Sequence, residues 1–330
     1  MDKAERIARL DELAEQAIDA WELEVAGLKL VSASENTVYR VNTRSGRDFA
    51  LRIHRPGYHT FQELVSEQQW TAALRTSGVE APEPLLTRDG HGYATIKFPG
   101  SAESRNVGIV EWIDGVPLAQ IIDQASDEQT VAQRFEQLGS IAARIHNQAT
   151  QWALPTNFQR HAFDAEGLMG DAPFWGPFWE LPQLKPAQRT KILSARSTIR
   201  ETLTDYGKDP NIYSLIHADL HPHNVLVDDE HLYVIDFDDA GFGWHQYELA
   251  VALYSYKGER NFETVRDALI AGYRSERSLD NTALELLLMF LLVRSLVLLG
   301  WIHGRPELDR SEFLPRLIDR ACMEIEELGL

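Results

Sequence analysis

LIHADLHPHNVLVDDEHLYVIDFDDAGFGWHQYE, residues 215–248, is the stretch from which the rest of the chain is read. Residues 225–227 and 232–235 are short β-rich runs on either side of Asp228-Asp229-Glu230-His231, and turn residues between two such runs predict a hairpin. With the turn centred on Glu230, Asn224 and Asp236 are symmetric about it and become cross-strand neighbours, their Cβ atoms about 4.5–5.5 Å apart. An amide oxygen beside a carboxylate suits a small hard cation. Mg²⁺ typically takes one or two protein carboxylates and leaves its remaining positions to water and phosphate oxygens. Asp219 stands five residues before Asn224, in a loop after the apolar Leu215-Ile216. A carboxylate not consumed by a metal can take the proton of an attacking hydroxyl, which is what phosphoryl transfer asks of its base. Three histidines, His217, His221 and His223, also raise the possibility of zinc, but Pro222 breaks the helical spacing such a site would use.

Upstream of this stretch the pattern changes character. Ile7, Leu10, Leu13, Ala17 and Trp21 recur at spacings of three and four and predict an amphipathic helix. Residues 38–41 and 49–53, separated by Arg44-Ser45-Gly46-Arg47, predict an antiparallel hairpin. Residues 61–76 predict a helix closing at Gly78, and 93–98 and 107–113 two further strands. From Asp127 onward helices dominate, apart from a Pro- and aromatic-rich stretch over 155–186. Strands first and helices after predict an α+β first lobe over 1–112 and a larger, mostly helical lobe over 113–330.

His217-x-Asp219-x-x-x-x-Asn224, followed by Ile235-Asp236-Phe237-Asp238, resembles the catalytic loop and metal-binding motif of the aminoglycoside phosphotransferase and choline kinase family, relatives of the protein kinases. The resemblance implies a bilobal protein-kinase-like fold, with an antiparallel sheet in the small lobe, and a reaction that moves the γ-phosphate of ATP to a hydroxyl with Mg²⁺ as cofactor. It makes Asp219 the catalytic base, Asn224 and Asp236 the metal ligands, and His217 a support for the loop. Glu248 stands where relatives often have an aspartate that braces this loop. In the first lobe it places Arg52 where the family has a strand lysine, paired with a helix glutamate. A helical wheel puts Glu67 on the buried stripe with Leu64, Thr71 and Leu74, with Glu63 nearby. Arginine keeps the charge and can grip phosphate oxygens, with a different reach and shape. Residues 32–38, SASENTV, occupy the place of the glycine-rich loop without a glycine, so Ser34 and its polar neighbours would join backbone amides around phosphate. Glu111 and Ile113 align with the segment whose backbone would meet adenine.

Composition narrows the partners. The chain has 330 residues, 44% hydrophobic and 25% charged, which excludes disorder as its main state. Its net charge of −18 opposes nucleic acid and anionic membrane surfaces. The single cysteine, Cys322, cannot form an intrachain disulfide, and the N-terminus lacks the apolar core of a secretory signal, so a cytoplasmic location is expected. Residues 284–302 are apolar enough to resemble a membrane span, but Arg294 near their middle makes a buried helix the better reading and requires a partner for that charge, either an acid or an anionic ligand group. The expected acceptor is a small metabolite hydroxyl, of the amino alcohol or hydroxy amino acid class. Phe174, Trp175, Phe178, Trp179 and Trp244 are candidates for its pocket or for core packing. A stress-response type Ser/Thr protein kinase and a nucleotide-binding regulator without turnover remain as alternatives. The first shares the Asp-x-Asp-Asp stretch, yet residues 241–250 show no activation-loop signature.

Overall fold

The computed structural model describes residues 3–305 and 312–330. The chain forms two compact units. The first comprises Met1–Val116, Leu154–Gln159 and Leu226–Ile235, so the division falls after Val116 where the sequence placed it after Trp112. It opens with α1 (Lys3–Ile18), then β1 (Val25–Ala33), β2 (Thr37–Thr43), β3 (Asp48–Ile53), α2 (Phe61–Thr76), β4 (Pro84–Leu85), β5 (Tyr93–Lys97) and β6 (Ser104–Glu111). The strands form one antiparallel sheet in the order β1-β2-β3-β6-β4, with β5 also on β6.

The predicted hairpin is β2–β3, registered from Thr37 opposite Ile53 to Asn42 opposite Asp48. Its turn needs Gly46, at φ 82°, a conformation a Cβ disfavours. Residues along β2 alternate strictly between buried and half-buried, so its pattern is legible. Strand β1 was missed because it is an edge strand with mostly exposed or half-buried positions. Leu10, Leu13, Ala14 and Ala17 of α1 bury against Tyr39, Val41, Leu51 and Ile109. Trp21 belongs to the same core although α1 stops before it; its indole N–H donates to the Leu85 carbonyl at 2.8 Å.

The second unit comprises Pro117–Ala153, Arg160–Val225 and Asp236–Leu330. After β7 (Val116–Pro117) come α3 (Leu118–Asp123), α4 (Glu128–Gln151), β8 (Ala162–Phe163), α5 (Ala165–Met169), α6 (Pro186–Tyr206) and β9 (Tyr213–Ile216). Then come β10 (Val225–Asp228) and β11 (His231–Val234), which from Leu226 on belong to the first unit, and, in the second, β12 (Gly241–Trp244), α7 (His245–Leu253), α8 (Phe262–Glu276), α9 (Asn281–Leu284), α10 (Leu287–His303) and α11 (Leu314–Glu327). Strand β12 runs antiparallel to β9 and parallel to β8. The stretch Asn281–His303 is long and apolar enough to cross a membrane, but most of it is buried, and α10 packs on α7 and α11 inside this unit.

Helices α4 and α8 approach closely at two glycines. A Cβ on Gly139 would lie 2.0 Å from the Leu269 carbonyl oxygen, and one on Gly272 1.8 Å from that of Glu136. Near this contact the His146 and His245 rings stack with centroids 4.1 Å apart. His146 is hydrogen-bonded to the Tyr273 hydroxyl at 2.8 Å and His245 to the Ser214 hydroxyl at 2.9 Å, so four elements share one polar knot in the core. Burial holds both imidazoles below their ordinary range, His245 to about 3, with the Arg277 charge acting in the same direction. These two imidazoles then bind fewer protons in the native state than in the unfolded chain between pH 6.5 and about 3, and together they outweigh the one extra proton that native Glu248 holds, so stability falls as pH decreases through that window. The expected result is a melting temperature that drops steadily from about pH 6.5 to about pH 4.5; a flat profile in thermal melts would contradict it.

Candidate active site

Strand β9 delivers the chain to a turn at Ala218, which adopts φ 63° without being glycine. Such a backbone persists only when its surroundings hold it. The hold is Glu248, in the first turn of α7. Its two carboxylate oxygens accept the N–H groups of His217 at 3.0 Å and Ala218 at 2.7 Å. Glu248 is fully buried, and burial pushes its carboxyl up to about 8 against those two donors, which favour the ionised form. The bracing acid expected from the sequence is therefore in place. Glu248→Ala leaves the buried N–H groups of His217 and Ala218 without their acceptor, so a loss of about 1–3 kcal/mol is expected, read as a lowered denaturation midpoint.

Asp219 follows at once, and both its oxygens are engaged. Oδ1 accepts from Arg294 Nη2 at 2.6 Å; Oδ2 accepts from Asn224 Nδ2 at 2.9 Å and faces His221 Nε2 at 3.2 Å. Burial alone would raise this carboxyl. The His221 hydrogen bond and the charges of His221, Arg294 and His217 outweigh it and hold Asp219 well below the usual carboxylate range. The partner that Arg294 required is thus an acid of the same unit. His217 Nδ1 accepts the Asp219 N–H at 3.3 Å. His221 Nδ1 accepts the His223 N–H at 3.3 Å, which assigns the ring proton to Nε2, facing Asp219. With both nitrogens of His221 occupied, zinc has no claim on it.

Asn224 closes a single helical turn, Pro222–Asn224, before β10. Its Nδ2 donates to both the backbone and the side chain of Asp219, each at 2.9 Å, which leaves the amide oxygen as the group it can present elsewhere. Asp236 has φ 64° and ψ 62°, left-handed, ahead of the single turn Phe237–Asp239. That turn is gripped by Arg160, which donates to the carbonyls of Phe237 at 3.2 Å, Asp238 at 2.5 Å and Ala240 at 2.5 Å. No periodicity in the sequence pointed to Arg160. The cross-strand placement of Asn224 and Asp236 needs correction: the turn is Asp229-Glu230, and both residues lie beyond the ends of β10 and β11, outside the ladder. A half-residue error in the turn centre shifts the register by one residue. His223 is exposed and lines a cavity of about 560 Å³ with Asp123, Asp127, Glu128, Glu259 and Pro222.

In the first unit Arg52 and Glu67 form the expected pair, Nη1 to Oε1 3.9 Å. The choice between the two helix acids is explained by the cap of α2: the Glu63 carboxylate accepts the Thr60 N–H at 2.7 Å while Thr60 Oγ1 accepts the Glu63 N–H, a capping box that leaves buried Glu67 to face β3. Ser34 sits in the exposed β1–β2 turn. Its neighbours are committed elsewhere: Asn36 Oδ1 accepts the Arg55 N–H at 3.0 Å, Glu35 pairs with the Arg55 guanidinium, and Thr37 is buried in β2. Glu111 ends β6 opposite Phe49, its N–H donating to the Glu83 carbonyl at 2.7 Å, and Ile113 follows the strand.

Residues 27–284 match the model of the phosphotransferase enzyme family. The chain belongs to this family. It is 31% identical to a structure of the microcompartment-associated aminopropanol kinase, with a TM-score of 0.82, covering 96% of this chain and 95% of that one. Amicoumacin kinase of Bacillus subtilis (strain 168) is 23% identical over 292 residues, 86% of this chain and 81% of that protein. An amicoumacin kinase solved in complex with AMP-PNP and Ca²⁺ shares the fold, with a TM-score of 0.80 at 20% identity over 98% of this chain and 96% of that one. The protein is a kinase of the α+β, protein-kinase-like class, as the catalytic-loop motif implied.

Proposed function

We propose that this phosphotransferase moves the γ-phosphate of ATP to the hydroxyl of a small amino alcohol, with Asp219 as base and Asn224 and Asp236 as Mg²⁺ ligands. The observation that carries this reading is the dressing of Asp219. A carboxylate with both oxygens fixed by Arg294, Asn224 and His221 cannot rotate freely, so its lone pairs are aimed before the acceptor arrives. The donor set fits a hard cation. Asn224 keeps an amide oxygen after its nitrogen is spent on Asp219, Asp236 adds a carboxylate, and neither offers nitrogen or sulfur. Bound there, Mg²⁺ would neutralise phosphate charge as it shifts toward the leaving oxygen.

The protein's own residues do the rest. Asp219 accepts the hydroxyl proton; Asn224 anchors Asp219 through its amide; Glu248 holds the loop that carries both; Arg160 fixes the turn behind Asp236. In the first unit, Arg52, kept in place by Glu67, supplies a cation for phosphate oxygens, Ser34 a hydroxyl, and the backbone at Glu111 and Ile113 the polar groups for adenine. Support for an amine on the acceptor comes from the 31% identical aminopropanol kinase and from the carboxylates lining the cavity beside Pro222 and His223. A cytoplasmic location, where ATP is available, follows from this reading.

The test is MgATP consumption in the presence of 1-amino-2-propanol, ethanolamine, choline, homoserine and hydroxylysine, with dephosphorylated casein in parallel. An amino alcohol turned over with saturation kinetics is the expected outcome. Labelling of casein alone would favour a protein kinase, and no turnover with any of them a nucleotide-binding regulator.

A further inference from the structure

We infer that Arg294 is a positioning residue for the base, and that Asp219 Oδ1, not Oδ2, receives the acceptor hydroxyl. The inference rests on the reading of Asp219 as base and adds which oxygen acts and what aims it. A carboxylate oxygen offers about two lone-pair directions. Oδ2 has two donors, Asn224 Nδ2 at 2.9 Å and His221 Nε2 at 3.2 Å, and is full. Oδ1 has one, Arg294 Nη2 at 2.6 Å, so one direction remains open on that oxygen. The side chain of Asp219 is 23% exposed, enough for a hydroxyl to reach it, while that of Arg294 is 9% exposed. The guanidinium therefore decides where the open lone pair points.

Arg294 is held as a rigid part. Its Cζ lies 5.1 Å from the centroid of the Trp175 ring. The segment bearing Trp175 crosses α10 at Gly300, where a Cβ would come 2.5 Å from the Gly176 carbonyl oxygen and 3.1 Å from that of Trp175. Only a glycine admits so close a crossing without moving the segment, and the crossing sets Trp175 against Arg294. The Nε of Arg294 is buried and makes no hydrogen bond of normal length. The Tyr247 hydroxyl and Asp239 also face this guanidinium, yet a buried ion pair is a weak stabiliser even when fully satisfied, so stability alone explains the pair poorly. The geometric hold of Arg294 on Asp219 is the better account. Lysine, a single point charge on a flexible stem, cannot reproduce the planar grip.

The experiment compares Arg294→Lys, Arg294→Met, Asp219→Asn and the double variant Asp219→Asn/Arg294→Met. Turnover is read as MgATP consumption with 1-amino-2-propanol and, without it, as slower transfer to water; MgATP binding and thermal melts are measured alongside. If Arg294 acts through Asp219, both single Arg294 variants lose about 10²-fold in kcat, the cost of misaiming a reacting group, while KM for ATP stays within about twofold. In the Asp219→Asn background, Arg294→Met then removes nothing further. A kcat for Arg294→Met within about threefold of the parent, or a loss that multiplies in full with that of Asp219→Asn, overturns the inference, because independent structural damage is additive in free energy. Should Arg294→Met fail to fold, Arg294→Lys in the same two backgrounds gives the same comparison. If Asp219→Asn alone keeps the parental kcat, the base assignment itself fails, whatever the Arg294 variants do.

Discussion

Asp219→Asn is expected to lower kcat by about 10² to 10⁴, the usual contribution of a positioned general base, while MgATP binding persists. The amide cannot take a proton, and its NH₂ must face either Arg294 or the pair formed by Asn224 and His221, all of which donate to this side chain. The variant therefore also leaves Arg294, 7% exposed, without its anionic partner, and breaking a buried pair from one side is strongly destabilising. Turnover must be compared at a temperature where the variant is folded, with nucleotide binding as the check. Parental turnover in a folded Asp219→Asn protein would remove Asp219 as base.

The second large effect concerns nucleotide binding. A ligand present at 100 times its dissociation constant stabilises the native state by about 2.7 kcal/mol, so MgATP is expected to raise the melting temperature of the parent by several degrees. Asp236→Asn is expected to abolish the Mg²⁺-dependent part of that rise. Its left-handed backbone suits asparagine as well as aspartate, and Arg160 donates to the carbonyls of Phe237, Asp238 and Ala240 beside it. The melting temperature of the variant without nucleotide is measured alongside, which separates loss of a ligand group from loss of the fold. An Asp236→Asn protein that still gains the full MgATP shift over ATP with EDTA would reassign the metal.

Repeating patterns made much of the fold legible in the chain. Helix α2 and the β2–β3 hairpin fall where they were expected, because each buries one face at a fixed period and is bounded by a capping threonine or a turn glycine. The edge strand β1 escaped notice for the opposite reason: none of its residues is fully buried, and two bulges interrupt its alternation. The same distinction runs through the active site. Its chemistry is written locally, since Asp219, Asn224, Asp236 and Glu248 lie within 34 consecutive residues of a quotable motif.

Long-range pairing is not written that way. Arg294 showed only that a charge inside an apolar helix needs a partner, and nothing in its neighbourhood says that the partner is 75 positions away. Arg160 gave no signal at all, because a guanidinium that binds carbonyls leaves no mark on the residues it holds. The sequence alone determined the family, the order of elements and the reacting groups, all of which follow from neighbours along the chain. Tertiary structure alone decided that Arg294 meets Asp219 Oδ1, that Glu248 restrains a left-handed alanine, and that Asn224 and Asp236 stand beyond their strands, since those outcomes depend on how distant segments pack.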